Sequence, residues 1–157
     1  MQQTSKELLA QEDELRFVDF TAEDAWHIAR MLSDDAKVAG RAVLIHIQLG
    51  SRTLFHWEAT GTTPDNLRWM QMKKRVAELY EHSSATIEAL VRESRLSLSQ
   101  WGQLDELQYS ASGGSFPIRL QSGAMIGTIN VSGYDADGDH NAILRVLRRN
   151  HQSSDVD

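Results

Sequence analysis

Cysteine is missing from all 157 residues, which removes thiol nucleophiles, cysteine-ligated zinc, iron–sulfur clusters and disulfide staples. Long apolar runs are missing too. No window reaches the roughly 18 to 20 consecutive apolar residues of a membrane-spanning helix, and Met1 to Asp13 is polar and charged, with no apolar h-region. A soluble cytoplasmic protein with no membrane partner is the expectation. Basic charge is in deficit: 16 Lys and Arg against 22 Asp and Glu give a net charge of -6, which repels polyphosphate and argues against nucleic acid as a partner. The two local basic clusters, Lys73-Lys74-Arg75 and Arg145, Arg148, Arg149, fall in expected helices and read as solvated faces. Internal repeats and low-complexity tracts are absent as well.

What remains is a chain long enough to bury roughly two-thirds of its unfolded surface around one core. We expect a single domain over 1–157 with loose ends near 1–14 and 151–157, although Ser5 to Leu15 allows a short helix. Phe17 to Phe20 reads as a strand. Thr21, with Asp24 three residues on, marks a helix start, and Ala25, Ile28, Ala29, Leu32 and Ala36 give that helix one buried face ending near Gly40. Ala42 to Leu49 and Thr53 to Trp57 form a hairpin about Gly50-Ser51-Arg52. A helix follows from Asp65-Asn66 with Trp69, Met72, Val76 and Leu79 as its apolar row, then a second from Ser84 to about Arg95. Ser97 to Tyr109 reads as a helical turn or an irregular loop. A glycine-bracketed hairpin from about Phe116 to Val131 precedes a closing helix, Asp139 to Arg149. Hairpins between sequential strands favour an α+β fold with an antiparallel sheet flanked by helices.

The most informative segment is Gly113-Gly114-Ser115-Phe116-Pro117-Ile118, followed by Ile126-Gly127, Val131-Ser132-Gly133 and Asp139-His140. Glycines at a sheet edge let a ligand approach the backbone without meeting a Cβ. Taken with Asp65-Asn66, Trp69, Lys73, Val76 and His82-Ser83-Ser84, this ordered set resembles the GlcG/HbpS-like family, often labelled the haem-degrading domain, in its branch of small cytosolic proteins. The similarity spans roughly Phe17 to Leu147. It implies a profilin-like fold with a five-stranded antiparallel sheet between helices, and homo-oligomers. It also implies that some relatives bind haem or iron, while others accompany glycolate, diol or small-acid metabolism.

Asn66, Trp69 and Lys73, at i, i+3 and i+7, share a helix face on which an amide, an indole and an ammonium can hold a planar or anionic ligand. The bland alternative makes Asn66 a cap, Trp69 core and Lys73 a solvated lysine. At His82-Ser83-Ser84 a serine caps the next helix, and no Gly-x-Ser-x-Gly elbow supports hydrolase chemistry. No His-x-x-x-His or His-Glu-x-x-His pair occurs, so no preformed zinc site is expected. His46 and His56 sit in paired strands and read as structural. A haem iron needs a single ligand, for which His140 is the candidate. Asp135 to Asn141 fails as a calcium loop because His140 and Val146 stand where glycine and a bidentate acid belong. Glu78-x-x-Glu81 reads as solvated surface.

The leading expectation is therefore a small oligomeric binding protein for a planar or anionic molecule, haem or a small carboxylate. Its cleft lies between the Asn66-to-Lys73 helix and the Gly113-to-Gly133 hairpin, with Asn66, Trp69, Lys73, Ser83, Ser84, Gly113, Gly114, Phe116, Pro117, Ser132, Gly133, Asp139 and His140 as candidate ligand-binding residues. An enzyme using His140 and Asp139 as acid and base, and an interaction scaffold, are the competing readings.

Overall fold

Threonine and serine caps set the helix starts. Thr4 with Glu7, Thr21 with Asp24, Thr63 with Asn66 and Ser97 with Gln100 each form a reciprocal capping box, which satisfies backbone donors that the first turn leaves free. The computed structural model describes residues 2–135 and 137–154. In chain order these form α1 (Ser5–Glu14), α2 (Ala22–Val38), β1 (Leu44–Leu49), β2 (Arg52–Glu58), α3 (Pro64–Tyr80), α4 (Ser84–Ser94), α5 (Leu98–Gly102), β3 (Ser115–Arg119), β4 (Met125–Ser132) and α6 (Gly138–Ser154).

The strands make one antiparallel sheet in the order β2-β1-β4-β3. It has four strands among the described residues, not five. The expected first strand reduces to a single rung, in which the Phe17 amide donates to the Arg119 carbonyl at 2.8 Å and the Phe17 carbonyl accepts from Gln121 at 2.8 Å. Its neighbour Val18 is 78% exposed, and Thr21 already caps α2, so no length remains for a ladder. The expected loose start is also corrected. α1 docks on α4 through Leu8, Ala85 and Ala89, and buries Gln11 and Glu12. At the other end α6 runs on to Ser154, and residues 155–157 lie outside the described residues, as does Ala136 within the acidic loop.

Side chains alternate along each strand, so the sheet has two chemically different faces. Ile45, Ile47, Ile129, Val131, Phe116 and Ile118 join Ile28, Leu32, Ile143 and Leu147 of α2 and α6 in the main core. The opposite face carries His46, Gln48, Thr128, Asn130, Ser132 and Ser115, in mutual register across β1, β4 and β3. α3 packs over this second face. Its apolar row differs from the expected one: Met72 and Val76 are buried, whereas Leu79 and part of Trp69 face solvent, and Lys73 is 5% exposed. Within the basic cluster Lys73-Lys74-Arg75, Lys73 is therefore not solvated, Lys74 is half-buried and Arg75 is exposed.

Candidate functional site

Lys73 is buried because Asp139 meets it. Its Nζ donates to Asp139 Oδ2 at 2.7 Å, while Asp139 Oδ1 accepts from the Gly133 and Tyr134 amides at 3.0 and 2.8 Å. One carboxylate in the first turn of α6 thus ties together α3, the exit of β4 and its own helix, close to the positive dipole end. Gly114 makes room for the pair. A Cβ there would lie 2.6 Å from the Val131 carbonyl oxygen and 3.0 Å from Lys73 Nζ, at φ +133°, so only glycine fits without strain.

Above this ion pair opens a cleft of about 560 Å³, lined by Asn66, Trp69 and Lys73 of α3, by Gly113, Ser132, Gly133 and Asp139, and also by Gln2, Glu88, Ser112, Tyr134 and Asp137. The helix face and the glycine-lined hairpin that the sequence singled out come together here. Trp69 is 38% exposed, with the Arg68 guanidinium 5.3 Å from its ring centre. The Asn66 side-chain oxygen accepts from the Thr63 amide at 2.9 Å, which leaves its NH₂ group to face outward.

Five other candidates lie elsewhere. Phe116 points to the opposite face of the sheet, into the apolar core. Pro117 is buried within β3, opposite Thr128. Ser83 is fully buried and caps α4 through the Thr86 amide at 3.1 Å. Ser84, equally buried, accepts from the Ser115 amide at 3.0 Å. Both serines are sealed from any substrate, Ser83 as the cap of α4 and Ser84 as an anchor for β3. His140, 3% exposed, borders a separate cavity of about 30 Å³ beside Gly113, Glu88 and Leu8. Its Nε2 is 3.0 Å from Gln11 Oε1 of α1, its Nδ1 is buried without a partner, and burial pushes its pKa down to about 4.

Sequence reasoning missed Glu88 and Glu12. Glu88 borders both openings, and burial, followed by the charge of Asp137, holds its carboxyl above the usual range. It stands one position beyond Ile87 in the α4 periodicity, which gives no sign that the opposite helices close around it. Glu12 accepts from Ser83 N, from Thr86 Oγ1 at 3.2 Å and from His82 Nδ1 at 2.7 Å. A helix placed among loose ends carried no reason to look there. Glu81 takes a left-handed conformation that ends α3, so Glu78 and Glu81 do not share a helix face.

The residues do not fit a histidine-ligated haem. His140 has its Nε2 engaged by Gln11 of α1 and its free Nδ1 buried, and no histidine lines the cleft. The acids around the opening also oppose the propionates of such a group.

The chain is 35% identical over 146 residues to a UPF0303 protein of Streptomyces avermitilis, covering 93% of this chain and 90% of that one. It is 36% identical over 140 residues to a UPF0303 protein of Serratia proteamaculans, covering 89% and 87%. Its fold is that of Ybr137w (TM-score 0.87, 23% identity, covering 96% of this chain and 89% of that one). It is likewise similar in fold to the protein solved as a PduOC:heme complex (TM-score 0.69, 14% identity, 83% and 94% covered) and to HbpS (TM-score 0.64, 16% identity, 84% and 89% covered). The family model of the HbpS-like haem degrading proteins matches residues 20–148, and the chain belongs to that family.

Proposed function

We propose that this chain is a small-molecule-binding protein whose ligand, planar and polar and of neutral or positive charge, occupies the cleft between α3, the end of β4 and the start of α6. The observation that carries this reading is the convergence of Asn66, Trp69, Lys73, Ser132 and Glu88 on one opening of about 560 Å³, a volume suited to a drug-sized guest. Trp69 offers an aromatic surface for stacking. Asn66 and Ser132 offer donors and acceptors around the rim of the guest, and Lys73 retains two of its three N–H donors beyond Asp139.

Charge selects against an anionic guest. Lys73 and Asp139 cancel each other, while Asp137 and Glu88 add only negative character. Support for a small carboxylate ligand, for which Lys73 was to supply the charge, therefore falls away. Catalysis by Asp139 and His140 has equally little support. Asp139 already accepts three hydrogen bonds, and His140 is sealed beneath α1.

A haem-related ligand is the second reading, favoured by the family and by the fold neighbour solved with haem. On this geometry His140 takes no part in it. A homo-oligomer remains part of the proposal, supported by Trp26, 59% exposed and set edge-on at 5.9 Å to Phe55 of the edge strand β2.

Native mass spectrometry of protein purified from cells tests the site and the subunit number together. Wild type should carry a retained small molecule, and Trp69→Ala should lose it. A wild type that carries nothing, with tryptophan fluorescence unmoved by either haemin or metal-free protoporphyrin IX, sinks the reading. A Soret shift with haemin that His140→Ala abolishes would reject the placement of His140.

A further inference from the structure

We propose that His46 and His56, on the β1–β2 half of the same polar face, form a binding site for a divalent transition-metal ion, held between their two Nδ1 atoms. The residues stand directly opposite each other across the hairpin. Their Nδ1 atoms are 2.9 Å apart, and the rings are inclined at 73°.

The partners of the other ring nitrogens decide the chemistry. Gln48 Oε1 accepts from Lys74 Nζ at 3.1 Å, and Gln48 Nε2 donates to the Gly50 carbonyl at 2.6 Å. Lys74 has no acceptor and a carbonyl has no donor, so this amide has one allowed orientation. Its Oε1 lies 3.1 Å from His46 Nε2 and must accept from it, so that nitrogen carries a proton. His56 Nε2 lies 3.1 Å from Glu58 Oε2, and a carboxylate also only accepts. Both Nε2 atoms are therefore donors.

In two neutral rings this leaves two Nδ1 lone pairs aimed at each other, a repulsive contact unless a cation lies between them. A proton shared between the rings is the other candidate occupant of a 2.9 Å contact, and the ring spectra separate the two. A metal ion matches the arrangement better. Ligating histidines are neutral, and they commonly donate their second ring N–H to a carboxylate or carbonyl, as both do here.

Two nitrogens on a tetrahedral zinc stand about 3.3 Å apart, so the rings need to part by only roughly 0.4 Å. Imidazole ligands suit zinc, copper and nickel. No third His, Asp or Glu completes the set among the described residues, so water or an external ligand fills the remaining positions. His56, with its side chain 32% exposed, provides the way in.

Zinc titration by calorimetry, with ¹⁵N NMR of the histidine rings, tests the site on the full chain. We expect one zinc per chain, both Nδ1 signals shifting while both Nε2 atoms stay protonated, and affinity lower by about tenfold or more in His56→Gln. His27→Gln, at an exposed histidine elsewhere, should change nothing. Without zinc, His56→Gln should unfold no earlier than wild type, since it relieves the lone-pair contact; this shows that lost binding is not lost folding. Equal zinc uptake by wild type and His56→Gln, no uptake by either, or a zinc-free spectrum with a proton on one Nδ1 at neutral pH each overturns the proposal.

Discussion

Ile129 and Asn130 are neighbours in β4, yet they belong to different chemistries. Ile129 lies among the aliphatic side chains of α2 and α6. Asn130, on the face beneath α3, is equally buried and donates to the His46 carbonyl and to Thr128 Oγ1, both at 3.0 Å. The apolar face needs only shape and volume to be satisfied. The polar face needs each donor matched to an acceptor, and Lys73–Asp139 and Gln48–Lys74 are the result. Stability is concentrated on the first face. The second, which must keep polar groups within reach of a cleft, is where a ligand can be held.

Substitutions sharpen this contrast. Phe116→Ala on the apolar face should cost about 4 kcal/mol in urea unfolding, yet leave the affinity of the folded protein for its cleft ligand unchanged; a comparable loss of affinity would join the two faces functionally. Lys73→Met should cost about 3 kcal/mol by leaving Asp139 buried without its partner, and Asp139→Asn in the same chain should restore part of the loss. No restoration would mean that the pair is not coupled as the 2.7 Å contact requires.

His140 predicts a pH window. Its pKa is about 4 when folded, against an ordinary 6.5, so the unfolded chain binds the proton first as pH falls. Its contribution is then whole above about pH 6.5 and is lost progressively down to about pH 4, on the order of 3 kcal/mol. His46, also held low, acts in the same direction, so the measurement is the difference between wild type and His140→Gln in urea unfolding across that window. Parallel curves would show that His140 is not buried as described. The smallest effect belongs to Glu88. Its raised pKa means that folding penalises the charged form relative to the unfolded chain, so Glu88→Gln should leave stability unchanged or raise it by under about 1 kcal/mol at pH 7, with the gain vanishing in acid. A clear loss at pH 7 would assign Glu88 an ionised partner instead.

Much of this was open to reading from local pattern. Thr21 with Asp24 announced α2, alternation in Thr128-Ile129-Asn130-Val131-Ser132 announced a strand with one apolar face, and the i, i+3, i+7 spacing put Asn66, Trp69 and Lys73 together on one side of α3. Phe17 to Phe20 misled because β-propensity says nothing about whether a partner edge is long enough to pair with. Phe116 misled because a motif names residues without naming the face each one takes, and β3 sends alternate side chains to opposite sides.

By itself the chain order determined the helices, the hairpins, their caps and the alternation of the strands, because these depend on neighbours within a few residues. Tertiary structure alone decided that the polar face would be covered, that Lys73 would meet Asp139 across 66 positions, and that Gln11 would close over His140 across 129. The physical reason is that burial of a charge or a ring nitrogen depends on which distant element arrives to pair with it, and no local periodicity records that arrival.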